Sequence, residues 1–316
     1  MAQKHEQPRP PLAFEEWPAL PFEEWKDTRD TLHMWTQIVG KTRLELCPEE
    51  NHWWQVTLYV TPRGLTTSPV PYGSNIFDAE FDFIDHVLRI RTSAGGLRTL
   101  SLTPRTVADF YAEYLKALHE LGVNVAIRHP QPDEVLDPIP FAEDRVHSSY
   151  DRDAAHRFWI ALVNADRIMK KFRGRFLGKS SPVHFFWGSF DIAVTRFSGR
   201  RAPSRPGADP ITRKAYSHEV ISGGFWPGDT RFPHAAFYAY AAPAPAGFEK
   251  EVIRPEAAFY SLKLGEFLLK YDDARAAASP DDAVLDFLQS TYEAGARLAG
   301  WDRAALEAVA ATASGG

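Results

Sequence analysis

Cysteine is all but missing. Cys47 is the single one among 316 residues, which excludes an intramolecular disulfide and any cysteine-based zinc cluster. Within Leu44-Glu-Leu-Cys-Pro48 it reads as a small packed hydrophobe. No stretch approaches about 18 uninterrupted apolar residues, so nothing reads as a membrane span. Met1 to Pro11 is polar and proline-rich without an apolar core; it is not expected to be a signal peptide, and a cytoplasmic protein is the expectation. An excess of positive charge is lacking as well: 36 Lys and Arg against 41 Asp and Glu leave −5. That argues against a nucleic-acid surface, which needs a basic face. Arg196, Arg200, Arg201, Arg205, Arg213 and Lys214 make one local basic stretch, read as a solvated loop. The motifs of nucleotide binding and hydrolysis are absent: there is no P-loop, no Gly-x-Gly-x-x-Gly, no Gly-x-Ser-x-Gly and no His-Glu-x-x-His. His218-Glu219 starts like the last of these but continues Val-Ile-Ser.

What is abundant is aromatic area: 9 Trp, 11 Tyr and 21 Phe. Rings on this scale build a core and can also line a ligand pocket. Hydrophobic periodicity orders the chain. Residues 1–14 are expected to be a disordered tail, and Trp17 to Trp25 an extended aromatic segment. A helix capped at Asp27 or Thr28 runs to Gly40, and His52 to Thr61 alternates as a strand. Strands over 76–84, 87–91 and 97–102 lead to a helix starting at Thr103-Pro104 and ending at Gly122. Val123 to Ile127 reads as a short strand. After a proline-rich connector over 129–152 comes a helix from Asp153 to about Arg173. Strands follow over 181–200, 218–226 and 235–241, with a weaker one over 257–262. Lys263 to Tyr271 reads as a helix, and Ser279-Pro280 caps the last main helix before a final short one from Trp301 to Ala310.

Helix, antiparallel strands, helix thus occurs twice. Val107, Asp109, Phe110 and Gly122 recur as Val284, Asp286, Phe287 and Gly300, and His52-Trp53-Trp54 is echoed by His184-Phe185-Phe186-Trp187. The expected fold is α+β: two similar lobes, 15–128 and 153–312, from an internal duplication, related by a pseudo-twofold.

The stretch that stands out is Ser181-Pro-Val-His-Phe-Phe-Trp-Gly-Ser-Phe-Asp-Ile-Ala-Val-Thr-Arg-Phe-Ser-Gly-Arg200. It reads as a buried strand carrying more polar groups than a strand should bury without partners. Three chemistries can use them. His184, Asp191, His218 and Glu219 are candidates for proton transfer, with Arg196 or Arg200 holding an anion. The competing reading of Asp191 is a structural ion pair with Arg196 or Arg200. His184, His218, Glu219 and His234 lack diagnostic metal spacing, and adjacent strand residues point to opposite faces, so no metal site is assigned. Trp53, Trp54, Trp187, Trp226, Tyr238 and Tyr240 can stack on a sugar, a base or a cation, or simply pack a core; the glycines around Gly223-Gly-Phe-Trp-Pro-Gly228 admit close backbone approach.

Thr31-Leu-His-Met-Trp-Thr-Gln-Ile-Val-Gly-Lys41, Asn51-His-Trp-Trp54, Gly64-Leu-Thr-Thr-Ser-Pro69, His184-Phe-Phe-Trp-Gly-Ser-Phe-Asp191, Ser222-Gly-Gly-Phe-Trp-Pro-Gly228 and Gly265-Glu-Phe-Leu-Leu269 together resemble a bacterial domain family of unknown function, family 5996. The resemblance spans residues 15 to 300. It implies one family unit and supplies no activity, cofactor or catalytic residue. The expected function is an enzyme acting on a small polar or anionic metabolite in an aromatic-lined pocket. A non-catalytic binder of a sugar or nucleotide-like ligand, and a structural protein with no ligand, stay open. So do the cofactor and homo-oligomerisation.

Overall fold

In the computed structural model, residues 16–308 are described; the 1–14 tail lies outside them. The chain opens with a long helix, α1 (Phe22–Leu46), that is buried around most of its circumference. Its apolar side carries Leu32, Trp35, Ile38 and Val39, all fully buried. Its other side buries Thr36, Gln37, Lys41, Thr42 and Arg43, which is tolerable only because those groups find partners. α1 extends beyond the expected span at both ends. Phe22 and Trp25, expected in an extended segment, already lie within it, with Glu23 and Glu24 favourably placed in the first turn.

The expected strand over His52–Thr61 does not form. Asn51–Val56 is a 3-10 turn in which His52 (φ 58°) and Trp53 (φ 64°) take left-handed conformations. Only β1 (Tyr59–Val60) remains of it. The first sheet then runs through β2 (Gly64–Thr66), β3 (Val70–Tyr72), β4 (Asn75–Asp82), β5 (Val87–Thr92) and β6 (Leu97–Ser101). Its antiparallel order is β1-β2-β4-β5-β6, with β3 paired to β4. Helix α2 (Val107–Glu120) follows this sheet. Its N-cap is Thr106, whose hydroxyl accepts from the Asp109 amide, rather than Thr103. Val123 to Ile127 forms no strand.

After the connector comes α3 (Arg152–Gly174). The run 181–200 is a hairpin instead of one strand: β7 (His184–Phe186), a turn, and β8 (Asp191–Arg201). Short α4 (Pro210–Ala215), β9 (His218–Trp226), β10 (Ala236–Ala242), β11 (Phe259–Ser261) and β12 (Glu266–Lys270) follow. The antiparallel order is β11-β12-β10-β9-β8-β7. β12 replaces the helix expected over Lys263–Tyr271. Phe267, Leu268 and Leu269 are all buried between half-buried Glu266 and Lys270, a short apolar run whose spacing does not separate strand from helix. The sheet backs onto α3 and α6 (Pro280–Leu298), the latter capped as expected by Ser279. Short α5 (Tyr271–Arg275) and α7 (Arg303–Leu306) complete the chain. The expected final helix shortens to α7, and Val309 and Ala310 lie outside the described residues.

The two sheets meet edge to edge, where Leu58 and Phe185 exchange both backbone hydrogen bonds at 2.9 Å. One hydrophobic core runs behind both sheets, from Trp35 and Phe110 to Phe287 and Tyr292. The architecture is α+β with antiparallel sheets.

Candidate functional site

Strand alternation decides which side chains leave the core. On β9, Ile221 and Phe225 face the helices, and Ser222, Gly224 and Trp226 face away. Gly223 and Gly224 are squeezed from both sides. A methyl on Gly223 would enter Leu288 of α6, and one on Gly224 would overlap the Tyr238 ring. On the outward face, Thr195 of β8, Ser222 of β9 and Tyr240 of β10 are register neighbours. Glu266 of β12 comes next, one step beyond the Ala239–Phe267 pair. Tyr238 lies two residues along from Tyr240, with their rings stacked at 6.2 Å and 13°.

Two hydrogen-bonded groups result. Asp191, only 6% exposed, accepts from Ser189 Oγ at 2.5 Å and from the Tyr238 hydroxyl. Tyr216, which follows α4, pairs its hydroxyl with that of Tyr240 at 2.9 Å, and Thr195 and Ser222 pair at 2.9 Å. Burial raises the Asp191 carboxyl despite its two donors. Glu266 is pushed up to about 7, first by burial and then by the Asp191 charge. Both phenols of Tyr238 and Tyr240 are driven well above their ordinary value by burial. A third carboxyl comes from the connector. Glu134 is an exposed residue whose side chain folds back so that its Oε1 would lie 3.3 Å from a methyl on Gly188. Loss of solvent around the carboxyl, then the charges of Asp191 and Asp133, raise it to about 6 against the pull of Arg231.

Helix α1 fixes this arrangement. His33, Gln37 and Lys41, at i, i+4 and i+8, form one stripe. Lys41 Nζ pairs with Asp133 at 2.7 Å and lies 5.4 Å from the Trp187 ring centre. Gln37 donates to the Asp133 carbonyl at 2.9 Å and accepts from its amide at 2.8 Å. His33 Nε2 meets the Gly188 carbonyl at 2.9 Å. Trp187 packs so tightly on α1 that a methyl on Gly40 would overlap its indole, and its Nε1 donates to the Val56 carbonyl at 2.6 Å. The segment on either side of the site is held in uncommon backbone: Glu134 at φ 56° and Phe190 at φ 58°, each costing on the order of 1 kcal/mol.

The expected site residues divide. Asp191 and Tyr238 are hydrogen-bonded to each other, and Trp226 stands at the border of the same face, stacked on Phe232 at 6.0 Å. The others do not join them. His184 is walled by Trp54, Tyr59 and Phe186, with neither ring nitrogen partnered among the described residues, and burial lowers it to about 3. His218 sits at the start of β9, its Nδ1 on Ser217 Oγ at 3.1 Å. Glu219 points to the opposite face and pairs with Arg200 at 2.7 Å. Arg200 also donates to the Ala299 and Gly300 carbonyls at the end of α6. Arg196 is fully buried, its guanidinium 3.5 Å from the Phe172 ring centre and 4.3 Å from that of Tyr292, donating to the Phe172 carbonyl. Neither arginine meets Asp191, so the anticipated ion pair is absent and neither is free to hold an anion there. Trp187 is structural, Trp53 lies under Lys214 Nζ at 5.3 Å, and Trp54 packs on His52 and Phe197. Among the described residues, no three His, Cys, Asp or Glu side chains gather as a metal-binding group.

Glu134, Tyr216 and Glu266 escaped the sequence reading. Glu266 was hidden by the helix assigned to its strand. Glu134 and Tyr216 come from loops that only the tertiary fold folds over the sheet.

Fold and site together define an α+β protein with an acid–tyrosine cluster on the outward face of its second sheet. The chain belongs to the Family of unknown function (DUF5996), whose model matches residues 17–308. No curated protein and no solved structure matches it.

Proposed function

We propose that the chain is an enzyme performing acid–base chemistry on a small polar molecule, uncharged or cationic, held over the outward face of the second sheet. The observation that carries this is the gathering of Glu134, Asp191 and Glu266 with Tyr216, Tyr238 and Tyr240 where the charges of the carboxyls oppose one another. A fold selected for stability alone gains little from that arrangement. Glu266, near half-protonated at neutral pH, is the general acid or base. Asp191 holds the Tyr238 phenol in place, and Glu134 closes the site from the connector. The negative charges around the site argue against an anionic group at this spot. A non-catalytic binder is the second reading, favoured by the stacked Tyr238 and Tyr240 rings, which offer a flat face to a sugar or a cation. The internal duplication keeps one support: α1 and α2 bracket the first antiparallel meander as α3 and α6 bracket the second.

A thermal-shift screen over sugars, nucleosides and amines tests the site, because any ligand of the folded state raises the melting point. A hit should fade in Asp191→Asn and Tyr240→Phe. Glu266→Gln should keep the binding shift and abolish turnover if the protein is an enzyme, and alter neither if Glu266 is structural. Hits indifferent to Asp191→Asn and Tyr240→Phe would remove the site from this face.

A further inference from the structure

A second polar locus lies on the same outward face, at the far end of β8 and β9, and it has the opposite charge. His52 is 7% exposed, in the left-handed stretch of the 3-10 turn. Its Nδ1 meets the Ala215 carbonyl at 3.1 Å, and Lys179 Nζ reaches its Nε2 at 2.8 Å. The carbonyl fixes the proton on Nδ1, so Nε2 accepts and the ammonium is the donor. The same ammonium lies 4.9 Å from the Phe197 ring centre and 5.3 Å from that of Trp54. His218 stands 5.8 Å from the His52 ring, with Nδ1 on Ser217 and no protein partner for Nε2 among the described residues.

A break in register between Phe197 and Arg201, centred on Gly199 (φ 88°), makes Arg201 the strand neighbour of His218. Bulges commonly re-aim a side chain in this way. Without the break, the register of Phe197 with Val220 would set Arg201 opposite residue 216 rather than beside His218. Among the described residues neither Lys179 nor Arg201 has a carboxylate within ion-pair distance, whereas nearby Lys214 is taken by Glu49 and Arg200 by Glu219. The positive charge here is therefore uncompensated, in a chain whose net charge is −5.

We propose that Lys179, Arg201 and His218, seated on His52, form an anion subsite that takes the phosphoryl group of a small metabolite. Two full cations and an imidazole suit a dianion better than a single carboxylate, and an arginine fork matches phosphate oxygens. The site holds too few cations, on too acidic a chain, for an extended polyanion. Ser222, the register neighbour of Tyr240, lies four residue steps along β9 from His218, or roughly 13 Å along the strand. A molecule of that length, phosphorylated at one end and uncharged or cationic at the other, would reach from this subsite to the acid–tyrosine cluster. The inference stands on its own residues and does not depend on the reading given to that cluster.

The test uses inorganic phosphate and the full chain, at low ionic strength, followed by the ring-nitrogen NMR signals of His52 and His218. Phosphate should move both signals along a saturable curve that an equal concentration of chloride does not reproduce. Lys179→Gln and Arg201→Gln, both at exposed positions, should each weaken binding about tenfold or more, the worth of a charge-assisted hydrogen bond; near-ultraviolet circular dichroism verifies that each variant is folded. Arg213→Gln and Asp191→Asn should leave phosphate binding unchanged, the latter separating this subsite from the acid–tyrosine cluster. Signals that do not move, that follow ionic strength alone, or that survive both substitutions would overturn the proposal. So would a single-stranded oligonucleotide that binds at the same residues far more tightly than a phosphorylated sugar, since the face would then serve a polymer.

Discussion

Glu266→Gln separates a functional carboxyl from a structural one. In the folded protein burial and the Asp191 charge raise Glu266 from 4.5 to about 7. A carboxyl raised that far makes ionisation cost up to about 3 kcal/mol of stability once the pH is above the folded value. The side chain is only partly buried, and solvent on its open side reduces the figure to about 1–2 kcal/mol. The sign follows from proton counting. Between pH 4.5 and about 7 the folded state binds more protons than the unfolded one, so this group's contribution falls as the pH rises and levels off above 7. Glutamine carries no charge and removes that slope. Urea unfolding at pH 4.5, 6 and 8 should give a variant equal to or slightly below wild type at pH 4.5 and above it by about 1–2 kcal/mol at pH 8, or a few degrees in melting temperature. A variant whose deficit or gain is the same at all three pH values would refute the reasoning, because the carboxyl would then be no harder to ionise in the fold than outside it.

Other substitutions test the supports. Gly40→Ala gains about 1 kcal/mol of helix propensity but forces a methyl into the Trp187 indole; overpacking of about 1–3 kcal/mol should win, giving net destabilisation by denaturant midpoint, and a more stable variant would show that Trp187 yields freely. Arg196→Met removes a guanidinium that burial has lowered to about 9 and should leave stability at pH 7 within about 1 kcal/mol of wild type or higher, since lost ring contacts offset the relieved charge; a loss of several kcal/mol would reveal a strong partner. Lys41→Met strands Asp133 and loosens the connector, so ligand shifts that depend on Glu134 should weaken more than global stability does, and an unchanged ligand response would detach α1 from the site.

The chain's own pattern determined the elements with long, clean periods. Helices at 107–120, 152–174 and 280–298 each bury one face, and a face is legible in spacing alone; the strand at 218–226, buried over six consecutive residues, is legible as a short apolar run. It also marked Asp191 as a polar group within a buried run and Tyr238 as a ring able to stack on a ligand. It misread His52 to Thr61, where alternation is present but two residues adopt left-handed backbone, a conformation enforced by Lys179 and Ala215 from far along the chain. Lys263 to Tyr271 misled for want of length.

The partner of every buried polar side chain was beyond spacing. His184 and Arg196 occupy the same run as Asp191, yet one is shut among rings, one is stacked beneath the sheet, and only Asp191 is hydrogen-bonded to Tyr238. Alternation assigns a side chain to one face or the other; which face is wet, and which distant loop covers it, follows from packing. Glu134 and Tyr216 reach the site only because α1 pins the connector and α4 docks on the 3-10 turn. Local pattern reports the free energy a segment gains by hiding its apolar side, whereas a site is made of groups that gain from one another, and only the closed chain brings those groups together.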